Sequence, residues 1–266
     1  MTPAAYVEAS SLSPSVNIDL LSSIELTASA AIVIAALSIG FGFNAGTRIR
    51  SAAWLSVWFV LVVILAATRA LYYEHGLGTP GLGLAVTLPI AILCITVACV
   101  KSLREGFHRV SLSLLVGVHT VRLLGITFIV LYGAGRLPAP FAPVAGWGDI
   151  FVGLTAPLVA WLVYQQGANA RPIARPIVWI WNMIGIVDLI AAVALGATSS
   201  PGPLRLIFAE PSSAIMTTLP WLLIPGFLVP LLMSVHIAIF VRLGDGTSGQ
   251  GGEGRGFYRD SACGAK

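Results

Sequence analysis

Five long stretches without a charged residue constrain the fold of this chain more than any other feature. Each holds 18 or more residues without Asp, Glu, Lys or Arg: Leu26–Thr47, Ser51–Thr68, Gly76–Val100, Ile150–Ala170 and Pro211–Val241. A helix of about 20 apolar residues crosses the hydrocarbon core of a bilayer, which is about 30 Å thick. Only 10% of the residues are charged, whereas a soluble domain has about 25%. The sequence therefore predicts a polytopic integral membrane protein and excludes a water-soluble globule.

The hydropathy pattern predicts an all-α fold with seven transmembrane helices. The expected spans are 24–43, 53–72, 83–100, 110–132, 142–164, 177–196 and 220–242. A membrane β-barrel would alternate apolar and polar residues over about 10 positions, and no segment does so. Ser22 followed by Glu25 fits a capping box, which predicts the start of the first helix. We expect an N-terminal extracytoplasmic tail at 1–23, a seven-helix domain at 24–242 and a Gly-rich, disordered cytoplasmic tail at 243–266.

The basic residues predict the orientation of the spans. Eleven of them fall in alternate connections and the C-terminal tail: Arg48, Arg50, Lys101, Arg104, Arg109, Arg171, Arg175, Arg242, Arg255, Arg259 and Lys266. Only Arg69, Arg136 and Arg205 fall on the opposite side. Because cytoplasmic loops carry an excess of Lys and Arg, we expect the N-terminus outside and the C-terminus in the cytoplasm. The excess of Arg over Lys is compatible with a bacterial source, and we expect the bacterial inner membrane.

Six polar residues inside the predicted spans form the candidate site. They lie in the fourth to seventh spans: His119, Arg122, Asp149, Asn182, Asp188 and His236. An ionisable group at the centre of a span costs roughly 2.5–3.5 kcal/mol on insertion scales, so each one calls for a partner or a function. Arg122 keeps its proton in any ordinary environment, and we expect it to pair with Asp149 or Asp188.

The fifth predicted span offers a close-packing face for that pair. Gly146, Asp149, Gly153 and Ala160 follow helical spacing, and small residues on one face let a neighbouring helix approach. The simplest interpretation is a buried ion pair that holds helices together. However, two carboxylates face one arginine. The second carboxylate must then be protonated, pair with a histidine, or bind a cation or a cationic ligand.

The seventh predicted span carries Pro220, Pro225 and Pro230 at intervals of five residues. Proline removes a backbone donor and clashes with the preceding turn, so a kinked or interrupted helix is expected. Interrupted helices in transporters expose backbone groups near the middle of the membrane. A static kink whose carbonyls are satisfied by neighbouring helices is the alternative.

Aromatic residues and the longest outer connection add two smaller expectations. Four tryptophans near predicted span ends are interpreted as interfacial anchors: Trp147, Trp179, Trp181 and Trp221. Trp181 also lies close to the helical face of Asp188 and is an alternative site residue. The connection at 197–219 is expected to rest on the outer surface as an interfacial segment or a lid.

No cofactor or metal is predicted. His119 and His236 could serve as axial haem ligands, which we keep as an alternative. A retinal protein is excluded because the only lysines, Lys101 and Lys266, lie outside the spans. No nucleophile-elbow, zinc-protease or P-loop motif occurs, and no enzyme class is assigned. We expect the lipid bilayer as partner, protons or a small solute as ligand, and no nucleic acid.

The second half of the chain resembles uncharacterised bacterial multi-pass membrane proteins. The residues that carry the resemblance are Gly146–Asp149 (GWGD), Trp181–Asp188 (WNMIGIVD) and the pattern of Pro225, Pro230 and His236. The resemblance implies no activity. Three hypotheses stay open: a transporter of a small solute or proton, a membrane redox subunit that binds haem or quinone, and a non-catalytic assembly or sensory partner. An intramembrane enzyme is a fourth alternative.

Overall fold

The computed structural model describes residues 14–42, 44–99, 110–166 and 174–245. These residues are helical without any strand, and helices make up 80% of the structure. Within these described ranges, seven helices are long and apolar enough to cross a membrane. They are α1 (Pro14–Phe41), α2 (Ala45–Ala67), α3 (Gly78–Cys99), α4 (Leu112–Gly133), α5 (Phe141–Gln165), α6 (Ala174–Thr198) and α7, which joins Ile224–Leu228 to Val229–Asp245. The predicted all-α class and the number of long apolar helices are confirmed, and these helices suggest a membrane location.

The start of the first helix differs from the prediction. α1 begins at Pro14, so Ser22 and Glu25 lie well inside it and the predicted capping box is wrong. The neighbouring Ser23 hydroxyl donates to the Asp19 carbonyl within the helix, at 2.6 Å. Glu25 accepts a hydrogen bond from the Thr127 hydroxyl of α4. The Glu25 carboxylate, which a capping box would turn back to the helix start, therefore bonds to another helix instead.

Two of the long helices depart from regular α geometry. The middle of α4, Val118–Gly125, is a 3₁₀ helix between two α-helical turns. α7 begins with the π-helical turn Ile224–Leu228 and continues as the α-helix Val229–Asp245. Such segments often mark functional sites within helices. Both helices carry residues of the predicted polar site.

Glycines let α4 and α5 pack closely at their crossing. A Cβ atom at Gly153 would lie 2.8 Å from the carbonyl carbon of Arg122, and one at Gly125 would lie 2.7 Å from the Gly146 carbonyl oxygen. A Cβ at Gly117 would meet the Cβ of Ala160 at 3.6 Å. Small residues at these positions bring the two backbones together, as expected for helices packed in a membrane.

Contacts at the two ends of the bundle show which connections share an end. At one end, Arg136 forms an ion pair with Asp19 at 2.6 Å, and the Thr79 hydroxyl donates to the Pro201 carbonyl at 2.9 Å. At the other end, the Arg175 guanidinium donates to the Leu243 carbonyl near the end of α7. We call these the Arg136 end and the Arg175 end.

Part of the predicted domain division falls outside the described residues. This applies to 1–13 of the predicted N-terminal tail and to 246–266 of the predicted C-terminal tail. Four basic residues used for the predicted orientation also lie outside them: Lys101, Arg104, Arg109 and Arg171. The described residues at 243–245 continue α7 as helix.

Candidate functional site

Arg122 is the centre of a polar cluster inside the bundle. Its side chain is 1% exposed, and it lies in the 3₁₀ segment of α4. Its Nε–H donates to Oδ1 of Asp149 on α5 at 2.6 Å, and its Nη2 donates to Oδ2 of Asp188 on α6. The sequence predicted one aspartate as the partner, and the structure brings both to the same guanidinium. With both carboxylates ionised, the three side chains carry a formal charge of −1.

His236 and Asn182 extend the cluster. Nη1 of Arg122 donates to the Gly185 carbonyl at 3.1 Å and to Nε2 of His236 at 3.2 Å. Because a guanidinium can only donate, Nε2 must accept, and the His236 proton therefore sits on Nδ1. Nδ1–H then donates to Oδ1 of Asn182 at 2.7 Å, while Nδ2 of Asn182 donates to the His236 carbonyl at 3.0 Å.

These bonds fix both the charge and the orientation of the imidazole. His236 is the neutral Nδ1–H tautomer and adds no charge to the cluster. Four of the five N–H donors of Arg122 are engaged, on α5, α6 and α7. The arginine thus joins four helices at one point.

Two glycines that were not predicted as site residues make room for the cluster. A Cβ atom at Gly148 would overlap the carboxylate of Asp188, and a Cβ at Gly185 would lie 2.6 Å from Nε2 of His236 and 3.3 Å from Nη1 of Arg122. Gly148 and Gly185 lie within the motifs GWGD and WNMIGIVD. The glycines in these motifs could have indicated a close approach of helices. Which side chain each glycine makes room for depends on how the helices are rotated about their axes.

Replacing Gly148 by alanine is expected to displace the Asp188 carboxylate and to lower the free energy of unfolding by about 1–3 kcal/mol, as overpacking of a filled interior does. Gly83→Ala is the matched control, because a Cβ at Gly83 in α3 meets nothing within 4 Å. The control should leave stability unchanged or raise it by up to about 1 kcal/mol through helix propensity. Unfolding of both variants in lipid bicelles measures the difference. Equal effects would show that Gly148 has no role in seating Asp188.

His119 lies beside the cluster and contacts it by ring stacking instead of by hydrogen bonds among the described residues. Its side chain is fully buried and stacks on His236, with ring centroids 3.9 Å apart and an interplanar angle of 28°. The Trp181 ring packs edge-on against it at 5.5 Å. Among the described residues, neither Nδ1 nor Nε2 of His119 has a hydrogen-bond partner. The structure thus brings all six predicted polar residues into one group.

The stacked arrangement bears on the haem alternative. Axial ligands of one haem point a nitrogen at the iron from opposite faces of the porphyrin. Here the two imidazole faces are in contact, and Nε2 of His236 already accepts from Arg122. The residues present therefore do not fit an iron held between His119 and His236.

Trp181 is buried beside the candidate site and does not lie at the surface as an interfacial anchor. It is 5% exposed, and its Nε1–H donates to the Thr155 hydroxyl of α5 at 2.9 Å. Trp221 is also buried, so the anchor interpretation is wrong for both of these residues. Trp147 and Trp179 are exposed on the outside of the bundle, which agrees with an anchoring role.

The prolines of the seventh span lie along the first part of α7. Pro220 is buried in the turn before the helix, Pro225 lies within the π-helical turn, and Pro230 lies in the first α-helical turn. The interruption therefore occurs near the Arg136 end, eight residues or more before His236. None of the hydrogen bonds described for the cluster involves one of these three prolines.

The connection at 199–223 is held against the bundle by backbone bonds. Leu206 and Ile207 donate to the Thr198 carbonyl at 2.9 and 3.0 Å. The side chains of Leu204, Leu206 and Phe208 are exposed. An apolar edge of this kind agrees with the expected interfacial segment.

The comparisons with known proteins give a family but no activity. Residues 79–244, well over half of the chain, match the family described as Domain of unknown function (DUF8737). The match includes α4 to α7 and every residue of the cluster. No curated protein and no solved structure matches the chain. The chain belongs to the family of this domain of unknown function, DUF8737.

Proposed function

We propose that this protein is a transporter-like membrane protein that moves a proton, or a small solute together with a proton, through the polar site between α4 and α7. One observation carries the proposal: a single guanidinium faces two carboxylates inside the apolar bundle. A net charge is costly in a low-dielectric interior, so the cluster favours the binding of one proton or one small cation.

A proton is the favoured occupant because the polar side chains of the cluster are already hydrogen-bonded to one another, and a proton can bind to a carboxylate without displacing them. A protonated Asp188 would leave one guanidinium paired with one carboxylate and would restore neutrality. Coupled carboxylate, histidine and arginine groups within membranes are typical of proton and solute pathways. The 3₁₀ segment of α4 carries His119 and Arg122, and the π-helical turn of α7 precedes the helix that carries His236. Irregular segments of these kinds often mark functional sites in helices.

The experiment that tests the proposal is proton movement in proteoliposomes. The purified protein is reconstituted with a pH-sensitive dye inside the vesicles, and an outside-acid step is applied with valinomycin and potassium to clamp the potential. Acidification faster than in protein-free vesicles supports the proposal. The Asp188→Asn protein, prepared in the same way, is the matched control.

A second candidate function, a non-transporting assembly or sensory partner, is favoured by a different feature of the same cluster. Arg122 is so completely bonded that it can act as a static clamp between four helices. On that view the wild-type and Asp188→Asn vesicles acidify at the same rate as protein-free vesicles. The assay therefore separates the two candidates.

We place the protein in the bacterial inner membrane with its N-terminus outside and its C-terminus in the cytoplasm. Support comes from the excess of basic residues in alternate connections of the sequence. At the Arg175 end, Arg48 and Arg175 bond carbonyls at helix ends. A phosphatase reporter that works only in the periplasm should be inactive when fused after Lys266, while a cytoplasmic fluorescent reporter should be active there. The opposite pair of results would overturn this orientation.

A further inference from the structure

His119 is a fully buried side chain whose hydrogen-bonding groups have no partner among the described residues. A neutral imidazole carries one N–H donor and one acceptor nitrogen, and buried groups of this kind are nearly always paired with protein or ordered water. The other polar members of the cluster follow that rule. His119 is the exception, and it lies at the functional centre of the proposed transporter.

The position of His119 follows from the 3₁₀ geometry of α4. With three residues per turn, side chains three apart lie one above the other, so His119 lies directly below Arg122 on the same face. That face points into the bundle, where the His236 ring covers one face of the His119 ring. Trp181 closes the edge. The imidazole is therefore held in place by packing and not by hydrogen bonds.

The charges around His119 select the kind of molecule that could bind to it. The Arg122 guanidinium is on the same helix segment and repels a cation. Beyond Arg122, the carboxylates of Asp149 and Asp188 leave the cluster without net positive charge, whether Asp188 is protonated or ionised, so the cluster does not attract an anion. The facing groups from α6 and α7 are the Trp181 indole and the neutral His236 ring. An uncharged molecule is the species that none of these groups opposes.

We propose that His119 is the binding position for a small uncharged molecule that both donates and accepts a hydrogen bond, with water as its occupant when no solute is present. This inference deepens the proposed function and rests on it only for the role of the bound molecule in transport. The binding itself follows from the unpaired imidazole.

The first test compares two phenylalanine variants by thermal unfolding in detergent. His236→Phe removes nitrogens that are bonded to Arg122 and Asn182 and must lower the unfolding temperature. His119→Phe keeps a ring that stacks on His236 but removes both nitrogens. If the two His119 nitrogens are hydrogen-bonded to a molecule, the unfolding temperature of His119→Phe should fall by about 3 °C or more, the shift expected for loss of a bonded polar group. If these nitrogens have no hydrogen-bond partner at all, their removal should raise the unfolding temperature.

The second test uses the wild-type protein and does not depend on a variant that folds. Solid-state NMR of protein with ¹⁵N-labelled histidine in lipid vesicles records magnetisation transfer from water protons to the ring nitrogens. We expect strong transfer to one spin system in H₂O, assigned to His119 by its loss in His119→Gln, and weaker transfer to His236. Absence of transfer to His119, together with a raised unfolding temperature of His119→Phe, overturns the inference.

The two proposals can fail separately. Water transfer to His119 without proton movement in vesicles would leave the binding position in place and remove the transport function. Proton movement without magnetisation transfer from water to His119 would support the transport function and remove the binding position.

Discussion

Replacing Arg122 by leucine is expected to lower the free energy of unfolding by about 3–5 kcal/mol, as removal of one partner from a buried ion pair does. The reason is that Asp149 and Asp188 would both lose their counter-ion while staying inside the bundle. The Gly185 carbonyl and Nε2 of His236 would lose a donor as well. Unfolding by steric trapping in bicelles, which reports free energies directly, measures the loss.

The matched control is a protein in which Arg122, Asp149 and Asp188 are replaced together, by Leu, Asn and Asn. It carries no buried charge at the cluster, so its loss of stability should be clearly smaller than that of the single variant. The comparison separates the loss of an ion pair from the loss of packing volume. Equal damage in the single and triple variants would contradict the pairing.

Replacing Asp188 by asparagine is expected to leave the fold intact and to slow proton movement in proteoliposomes by about 100-fold or more, the lower range for a positioned proton-transfer group. The introduced carboxamide would keep an oxygen that accepts from Nη2 of Arg122. It would also leave one guanidinium with one carboxylate, so the charges balance. The acidification rate and the unfolding temperature are measured on the same preparation.

Asp149→Asn is the control for that result. Asp149 accepts from Nε of Arg122, is 7% exposed, and packs against Gly125 at the crossing of α4 and α5. We expect this variant to lose more stability than Asp188→Asn and to keep more of the proton movement. If both variants lose the same stability and neither changes the rate, both aspartates are structural ligands of Arg122.

The helices were predictable because hydropathy decides them locally. Long apolar stretches with at most one or two charged residues give the number and approximate positions of the spans whatever the helices pack against. Helix starts were less predictable. Ser22 and Glu25 have the spacing of a capping box, but Glu25 bonds to Thr127 of another helix, and a contact of that kind depends on the assembled bundle.

The candidate site was predictable in its membership but not in its geometry. Charged and polar residues are conspicuous in an apolar span, so the six residues could be named from the sequence. The sharing of Arg122 by two aspartates depends on how α5 and α6 are rotated about their axes, and no residue pattern fixes that rotation. Gly148 and Gly185 show the same limit, because only the folded bundle shows which side chain each glycine admits.

Trp181 shows a further reason why sequence position misleads. It lies near a predicted span end, where tryptophan usually anchors a helix at the interface. In the structure its indole N–H finds the Thr155 hydroxyl and its ring packs against His119, so its polar tip is satisfied inside the bundle. An amphipathic side chain can use either environment, and the neighbouring helix decides.

Infrared spectroscopy of the wild-type protein in lipid tests the central claim, which is that the cluster holds an exchangeable proton. We expect a protonated carboxyl band at pH 7 that shifts in D₂O and is lost in Asp188→Asn. The band should persist in Asp149→Asn. If no carboxyl band titrates above about pH 5, a unit beyond the value of an aspartate in water, the cluster is a permanently ionised clamp and the proton-coupled account is wrong.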